Sequence, residues 1–340
     1  MSGDSLVVAV LGCGSIGQRH LRNLAGLPGI ASLLAVDPDM ERREQAVAAV
    51  SAEPFESFDQ ALCRRPQAVV VATPTHLHLE SVTKVVRAGC HIFVEKPIAM
   101  RSQGVAELLE DADRASLVVM VGYNLRFHPG LRELRALMEQ GAIGRIIWVR
   151  AEYGWHLPNW RPDRDYRSTY SARRNEGGGV LLDGSHELDL LRYLLGEAEQ
   201  VYCLARNTGT LGTDVEEVAA LVAGFADGVM GEVHLDFLQR AYSRTCKVVG
   251  TEGTAIWEYV GEKLTVFRAQ SDAWETQASP GFEPNHAYLA EMQEFLEAIR
   301  ERRRPQPDGW QGLRTLDLAE AAARSTASGR RERLSERQQR

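Results

Sequence analysis

The chain has 340 residues, 44% hydrophobic and 25% charged, and carries 39 Lys and Arg against 46 Asp and Glu, a net charge of −7. That length exceeds one compact core and fits two domains. The apolar share excludes a disordered chain or a small disulfide scaffold, and the negative balance excludes a general nucleic-acid binder or a polybasic membrane binder.

Residues 6–11 form a continuous apolar run, as in a parallel strand covered on both faces, and residues 15–25 have helical spacing through Ile16, Leu21 and Leu24. A strand over 32–36, a helix over 41–50, and further runs at 68–72, 75–88, 90–94, 102–115 and 117–121 continue the alternation. Strand and helix repeated with short connections predict a parallel sheet with right-handed crossovers, ending near Asn124. A helix over 131–139, a strand over 145–153, a polar stretch over 155–176 and an apolar helix over 180–195 follow. About five strand-like runs between 201 and 267, separated by turn signals such as Asp227-Gly228, predict a mostly antiparallel sheet. Helices over 284–302 and 310–325 close the chain, and 329–340 reads as a charged, frayed end. The fold class is therefore α/β: a parallel-sheet domain over 1–124, then an α+β domain over 125–340 with a mostly antiparallel sheet.

Cys13, Cys63, Cys90, Cys203 and Cys246 include no CxxC pair and read as reduced thiols, and no apolar run approaches the ~20 residues of a bilayer span. With no signal-like start, the expected location is the cytoplasm, and no metal is expected.

The most informative segment is Gly12-Cys13-Gly14-Ser15-Ile16-Gly17. After a strand and opening a helix, its glycines permit the tight turn, the approach of a pyrophosphate and close helix–strand packing. Asp37 ends the second strand 20 residues after Gly17, where a carboxylate accepts from the ribose hydroxyls. Asp37 favours NAD because it repels a 2′-phosphate, while Arg42 and Arg43 leave NADP open. Thr73, Pro74 and His78 follow one strand, and Glu95-Lys96-Pro97 follows the next, both where ligands of an open α/β sheet bind.

Glycine loop, ATPTHLHLE, VEKPIAM, VGYNLRFHP and GGGVLLDGSHELDLLRYLLG occur in that order. Together they resemble the glucose–fructose oxidoreductase / inositol dehydrogenase / rhizopine catabolism (Gfo/Idh/MocA) family of NAD(P)-dependent oxidoreductases, from Val7 to about Gly329. The resemblance implies a Rossmann NAD-binding domain followed by a domain with a large open-faced sheet that carries the contacts of a homodimer or homotetramer, and hydride transfer between the nicotinamide and a sugar-like or cyclitol carbinol. By motif, Glu95 and Lys96 fall on the family's Glu-Lys-Pro and His186 on its helix histidine. Thr73, Pro74 and His78 fall beside the nicotinamide, and Tyr123 and Asn124 at the strand end reaching the same pocket. Many relatives place the helix aspartate four residues before the histidine; here Leu182 stands there and Asp183 is three before.

The leucine-rich helix stands on its own evidence, because Asp183, His186 and Asp189 recur every third residue and buried polar groups need partners. An imidazole suits proton removal from a hydroxyl near neutral pH, so the expected roles are His186 as base, Lys96 as donor to the same oxygen, and Asp183 as support.

Residues 155–176 hold five arginines against three acids. Trp155, His156, Trp160 and Arg161 are candidates for a sugar-binding mouth; equally, the arginines can pair with Asp163, Asp165 and Glu176. Three functions follow: a dehydrogenase of a secondary hydroxyl or keto group, an NAD-dependent glycosidase or lyase using transient oxidation, and a non-catalytic NAD-binding regulator.

Overall fold

The computed structural model describes residues 5–278 and 282–334. The first compact unit runs to Asn124 and takes in Ala287–Leu313; the second comprises Leu125–His286 and the chain from Arg314.

In the first unit the chain runs β1 (Leu6–Leu11), α1 (Ser15–Ala25), β2 (Ile30–Val36), α2 (Met40–Ala49), β3 (Ala52–Phe55), α3 (Phe58–Ala61), β4 (Ala68–Val71), α4 (His78–Arg87), β5 (His91–Val94), α5 (Val105–Arg114) and β6 (Val119–Val121). The six strands are parallel in the order β3-β2-β1-β4-β5-β6, the doubly wound dinucleotide-binding arrangement. Helices cover both faces of such a sheet, which is why Val8, Val10, Val69, Val70 and Ile92 are all fully buried. β3, with its proline, gave no strand signal in the sequence; it pairs only with β2, at the sheet edge where proline is tolerated.

The chain returns to this unit late. Phe295 packs edge-on against Phe93 (5.9 Å), the Val121 amide donates to the Pro307 carbonyl (3.3 Å), and Gly309 and Gly312 sit too close to Val119 and Val121 for a side chain. The predicted boundary at 124/125 thus leaves out a segment whose aromatic and glycine residues close the sheet's β6 flank.

In the second unit come α6 (Pro129–Glu139), β7 (Ile146–Gly154), α7 (Val180–Asp183), α8 (Ser185–Leu195), β8 (Gln200–Arg206), β9 (Val218–Gly224), β10 (Met230–Asp236), β11 (Ser243–Gly250), β12 (Gly253–Glu258), β13 (Lys263–Arg268) and β14 (Ala273–Ala278). Finally, α9 (Pro284–Glu301), α10 (Gly309–Ser328) and β15 (Glu332–Arg333) end the description. The second sheet has the order β14-β13-β12-β11-β7-β10-β9-β8-β15, antiparallel except for β10 against β7.

Register explains its two faces. Cys203, Leu221, Val233, Ala151, Cys246, Trp257 and Leu264 stand in one row across seven strands, and all are buried. One residue along, Tyr202, Val222, Glu232, Arg150 and Lys247 form the row on the open face. A slip of one residue would exchange these faces, so the burial of the first row fixes the pairing.

Two expectations need correction. The apolar helix predicted over 180–195 is broken at Gly184, where a Cβ would lie 2.6 Å from the Val180 carbonyl oxygen and 2.7 Å from Leu235. The tail predicted to fray contains β15, because the edge strand β8 offers unpaired backbone groups that Glu332 and Arg333 satisfy; residues 335–340 lie outside the described ones.

Candidate functional site

In the first unit the glycine loop has the geometry its sequence demands. Gly12 has φ +93°, and a Cβ there would meet the Ala72 carbonyl oxygen at 2.6 Å. At Gly17 a Cβ would fall 1.8 Å from the Gly12 carbonyl oxygen, so helix and strand approach as only glycine allows. Gly14 is the N-cap of α1 with no capping side chain, and a Cβ on it would meet nothing within 4 Å. Ser15 is exposed and Ile16 half-buried on the first turn. Open space before uncapped helix amides is what a bound pyrophosphate requires. Asp37 is buried at the end of β2 and accepts from the amides of Cys13 (2.7 Å) and Asp39 (2.9 Å). These bonds aim its carboxylate at the glycine loop, the place of the ribose hydroxyls. Burial, with the Asp37 carboxylate, pushes the Cys13 thiol up to about 12, which keeps it neutral beside the loop.

After β4, Thr73 is half-buried and Pro74 exposed. His78, a candidate for cofactor contact, is buried, with Nδ1 2.8 Å from the Pro97 carbonyl oxygen and Nε2 2.8 Å from that of Thr73. Its ring straps the Thr-Pro-Thr-His loop to the Glu-Lys-Pro loop, and burial lowers its pKa. The Lys96–Pro97 bond is cis. Glu95 is gripped by a residue no motif had singled out: its Oε1 is 2.6 Å from Nε2 of the fully buried His20. Tyr123 is wholly buried and Asn124 nearly so. A hollow lined by His91, Val118 and Arg302–Pro305 opens at the amino ends of β5 and β6, the opposite end from these loops.

The second unit sorts the three polar residues of the broken helix. Asp183 ends α7 and accepts from the Tyr170 hydroxyl (3.0 Å), and burial and Asp183 together push that phenol's pKa well up. His186 is half-buried on the first turn of α8. Asp189 belongs to the core: both its oxygens take a two-pronged bond from Arg126, 2.7 Å each, and Thr315 donates to it at 3.1 Å. Sequence reasoning also missed Glu187, which is buried and paired with Arg244 at 2.8 Å; Arg244 lies 4.4 Å over the Tyr153 ring.

The loop at 155–176 folds into short 3₁₀ turns. Trp155 and Trp160 stack at 5.8 Å with an interplanar angle of 24°, the Trp160 indole donating to the Trp155 carbonyl (3.3 Å). His156 is buried, with Nδ1 3.5 Å from the Asn159 side-chain oxygen and 3.4 Å from Arg240. Arg173 pairs with Glu176 (2.7 Å), Arg174 donates to the Asp214 carbonyl, and Arg167 lies 3.6 Å from Asp165. Arg161 is exposed and forms no ion pair among the described residues.

Two family patterns match this chain: the oxidoreductase family with an NAD-binding Rossmann fold over residues 6–123, and the GFO/IDH/MocA C-terminal domain over residues 131–256. The chain belongs to the Gfo/Idh/MocA family. Among its relatives are a myo-inositol 2-dehydrogenase from Thermotoga maritima, 26% identical over 97% of this chain and 98% of the relative, and a 1,5-anhydro-D-fructose reductase from Ensifer adhaerens, 29% identical over 77% of this chain and 78% of the relative. A levoglucosan dehydrogenase solved with NADH and levoglucosan superposes with a TM-score of 0.89 over 97% of this chain and 99% of that one; at 23% identity it speaks for the fold.

This Gfo/Idh/MocA protein is an NAD-dependent oxidoreductase, and its glycine loop and Asp37 fit that cofactor on their own geometry. Gly12, Gly14 and Gly17 would make its cradle and Asp37 would supply the acceptor. The five cysteines are free thiols, four of them buried. No helix among the described residues is long and apolar enough to cross a membrane.

Proposed function

We propose that the protein transfers hydride between the nicotinamide and a secondary hydroxyl or keto group of a neutral sugar, sugar derivative or cyclitol. The bound cofactor supplies hydride acceptance and return, which no side chain can provide. Everything else falls to the chain. Gly12, Gly14, Ser15, Ile16 and Gly17 hold the pyrophosphate and Asp37 the ribose, with Thr73, Pro74 and Asn124 at the strand ends beside them. Lys96 donates to the carbinol oxygen and stabilises its developing charge. His186 takes the hydroxyl proton, with Asp183 and Tyr170 fixing its surroundings. Tyr123, His156 and Arg161 offer polar contacts to the ring's hydroxyls.

The observation that carries the neutral-substrate reading is the state of the arginine-rich loop. Arg167, Arg173 and Arg174 are already engaged by Asp165, Glu176 and Asp214, while Trp155 and Trp160 present stacked flat surfaces. Aromatic faces suit the C–H faces of a sugar ring, and of the loop's five arginines only Arg161 and Arg164 are without an ion pair or side-chain hydrogen bond among the described residues, so a phosphate would find less than half of them uncommitted. The relatives' names point the same way, to inositols, 1,5-anhydrofructose and levoglucosan.

Steady NADH formation across a panel of neutral sugars, cyclitols and sugar phosphates tests this reading. Turnover of neutral polyols supports it. Glycoside cleavage without net NADH would instead favour the transient-oxidation alternative, and tight NAD binding with no turnover of any kind a regulator.

The open face of the second sheet exposes Tyr202, Leu204, Val222 and Met230 on adjacent strands, an apolar patch of the kind that marks subunit contacts. A homodimer or homotetramer built on that face, in the reducing cytoplasm that suits five free thiols and an NAD enzyme, completes the reading. Leu204→Lys with Val222→Lys is expected to lower the mass seen by light scattering to that of one chain.

A further inference from the structure

Arg244 stands where the second sheet calls for an apolar residue. Two places along β11 from the core position Cys246, it shares a row on the covered face with Ala219, Leu235 and Tyr153, all three buried. Its guanidinium lies 4.4 Å over the Tyr153 ring, and its Nε is 2.8 Å from a carboxylate oxygen of Glu187 on α8, the one acid it pairs with among the described residues. The Arg244 side chain is 13% exposed and that of Glu187 1%. Neither residue enters the chemistry assigned above.

A buried ion pair is a poor way to hold a helix on a sheet. Desolvation of the two groups offsets most of their attraction, and apolar side chains of similar volume hold as well or better. What a charged pair adds is direction, because a carboxylate must meet its guanidinium, whereas a leucine slides among equivalent contacts. Burial works against the Arg244 charge, and the Glu187 carboxylate, with the Tyr242, Tyr153 and Tyr259 hydroxyls, more than restores it. Direction matters on α8, which starts at the Gly184 break with His186 on its first turn, so no unbroken helix precedes that residue. Glu187 projects about 100° to one side of His186 around the helix axis, and Asp189 about 60° to the other. Asp189 is held by Arg126 through both oxygens at 2.7 Å. The two buried pairs thus bracket His186 and together fix the rotation of α8 about its own axis.

We propose that the Glu187–Arg244 pair sets the rotation of the first turn of α8, and with it the direction in which His186 points. Both are positioning residues: Arg244 acts through Glu187, and Glu187 through the helix backbone it shares with its neighbour His186. The effect on turnover rests on the proposed role of His186 as proton acceptor.

The test replaces both charges together in the full-length protein, Glu187→Leu with Arg244→Met, so that neither is left stranded. The double variant is expected to melt at or above the parent's temperature. Its kcat should fall by about tenfold to a hundredfold, as a small misplacement of a reacting group does, with the KM for NAD within about twofold of the parent's. Arg244→Lys, which keeps a cation opposite Glu187 without the planar fork, should fall between the two. A crystal structure of the double variant, solved beside the parent, should show the His186 ring displaced by about 1 Å or more. A ring that has not moved overturns the proposal whatever happens to kcat. If the double variant does not fold, Glu187→Gln with Arg244→Gln takes its place, and loss of the fold there as well overturns the proposal in favour of a purely structural pair. A displaced ring with unchanged kcat upholds the pair's hold on His186 and removes His186 from the chemistry, so the two readings fail separately.

Discussion

The two units hold their functional groups by different means. In the first, the candidate cofactor platform is mostly backbone: Gly12 and Gly17 stand where a side chain would clash, Gly14 leaves the helix start open, and Asp37 is held by two amides. In the second, side chains hold side chains: Asp189 on Arg126 and Thr315, Asp183 on Tyr170, Glu187 on Arg244. Backbone geometry admits few residue types, so it leaves a motif. Side-chain partnership admits many arrangements and is settled only by the three-dimensional fold.

The sharpest way to break this contrast lies within the second unit. Asp189→Ala should remove about 3–5 kcal/mol of stability by stranding a buried guanidinium, seen as a lower urea midpoint. Asp183→Asn, in contrast, should keep most stability and lose turnover. Equal stability losses in the two variants would erase the distinction between core and site aspartates.

A pH titration of stability comes next. Burial holds His128 near 4, against about 6.5 when unfolded, and its Nδ1 accepts from the Gly130 amide. The unfolded chain therefore binds more protons between those values, so stability is complete above about pH 6.5 and falls as pH drops toward 4, by roughly 3 kcal/mol. His128→Asn, which retains a capping oxygen, should remove that share of the fall and leave the part that comes from His78 and His91, whose pKa values burial also lowers. The low pKa of Asp236, about 2, acts only below it.

The smallest effect belongs to the platform. Asp37→Ser should weaken NAD by about tenfold, roughly 1.4 kcal/mol, and narrow the gap to NADP, since Arg43 donates to the Asp37 carbonyl from close by. Calorimetric Kd values for both cofactors check it; an unchanged preference would remove Asp37 from the ribose site.

Legibility followed the same divide. The Rossmann half was readable because burial on both faces writes unbroken apolar runs and the phosphate loop writes glycines at fixed spacing. Asp183 and Asp189 looked alike in the sequence, since a spacing of three cannot show that Arg126, 63 residues before Asp189, takes it out of the site. Gly184 hid inside a leucine-rich run that reads as one helix. Arg173 and Glu176, three apart, were foreseeable as a pair; Arg174 on Asp214, 40 residues on, was not. His20 carried no motif, because its partner Glu95 stands 75 residues on and meets it only in the fold.

The assignment of chemistry to Lys96 and His186 is tested most directly by the kcat of Lys96→Met and His186→Asn on the substrate the panel identifies, with NAD affinity measured alongside. Each variant should lose about a hundredfold or more in kcat, at least ~2.7 kcal/mol, while binding NAD within about threefold of the parent. Turnover within about tenfold of the parent in both, under ~1.4 kcal/mol, would contradict the assignment.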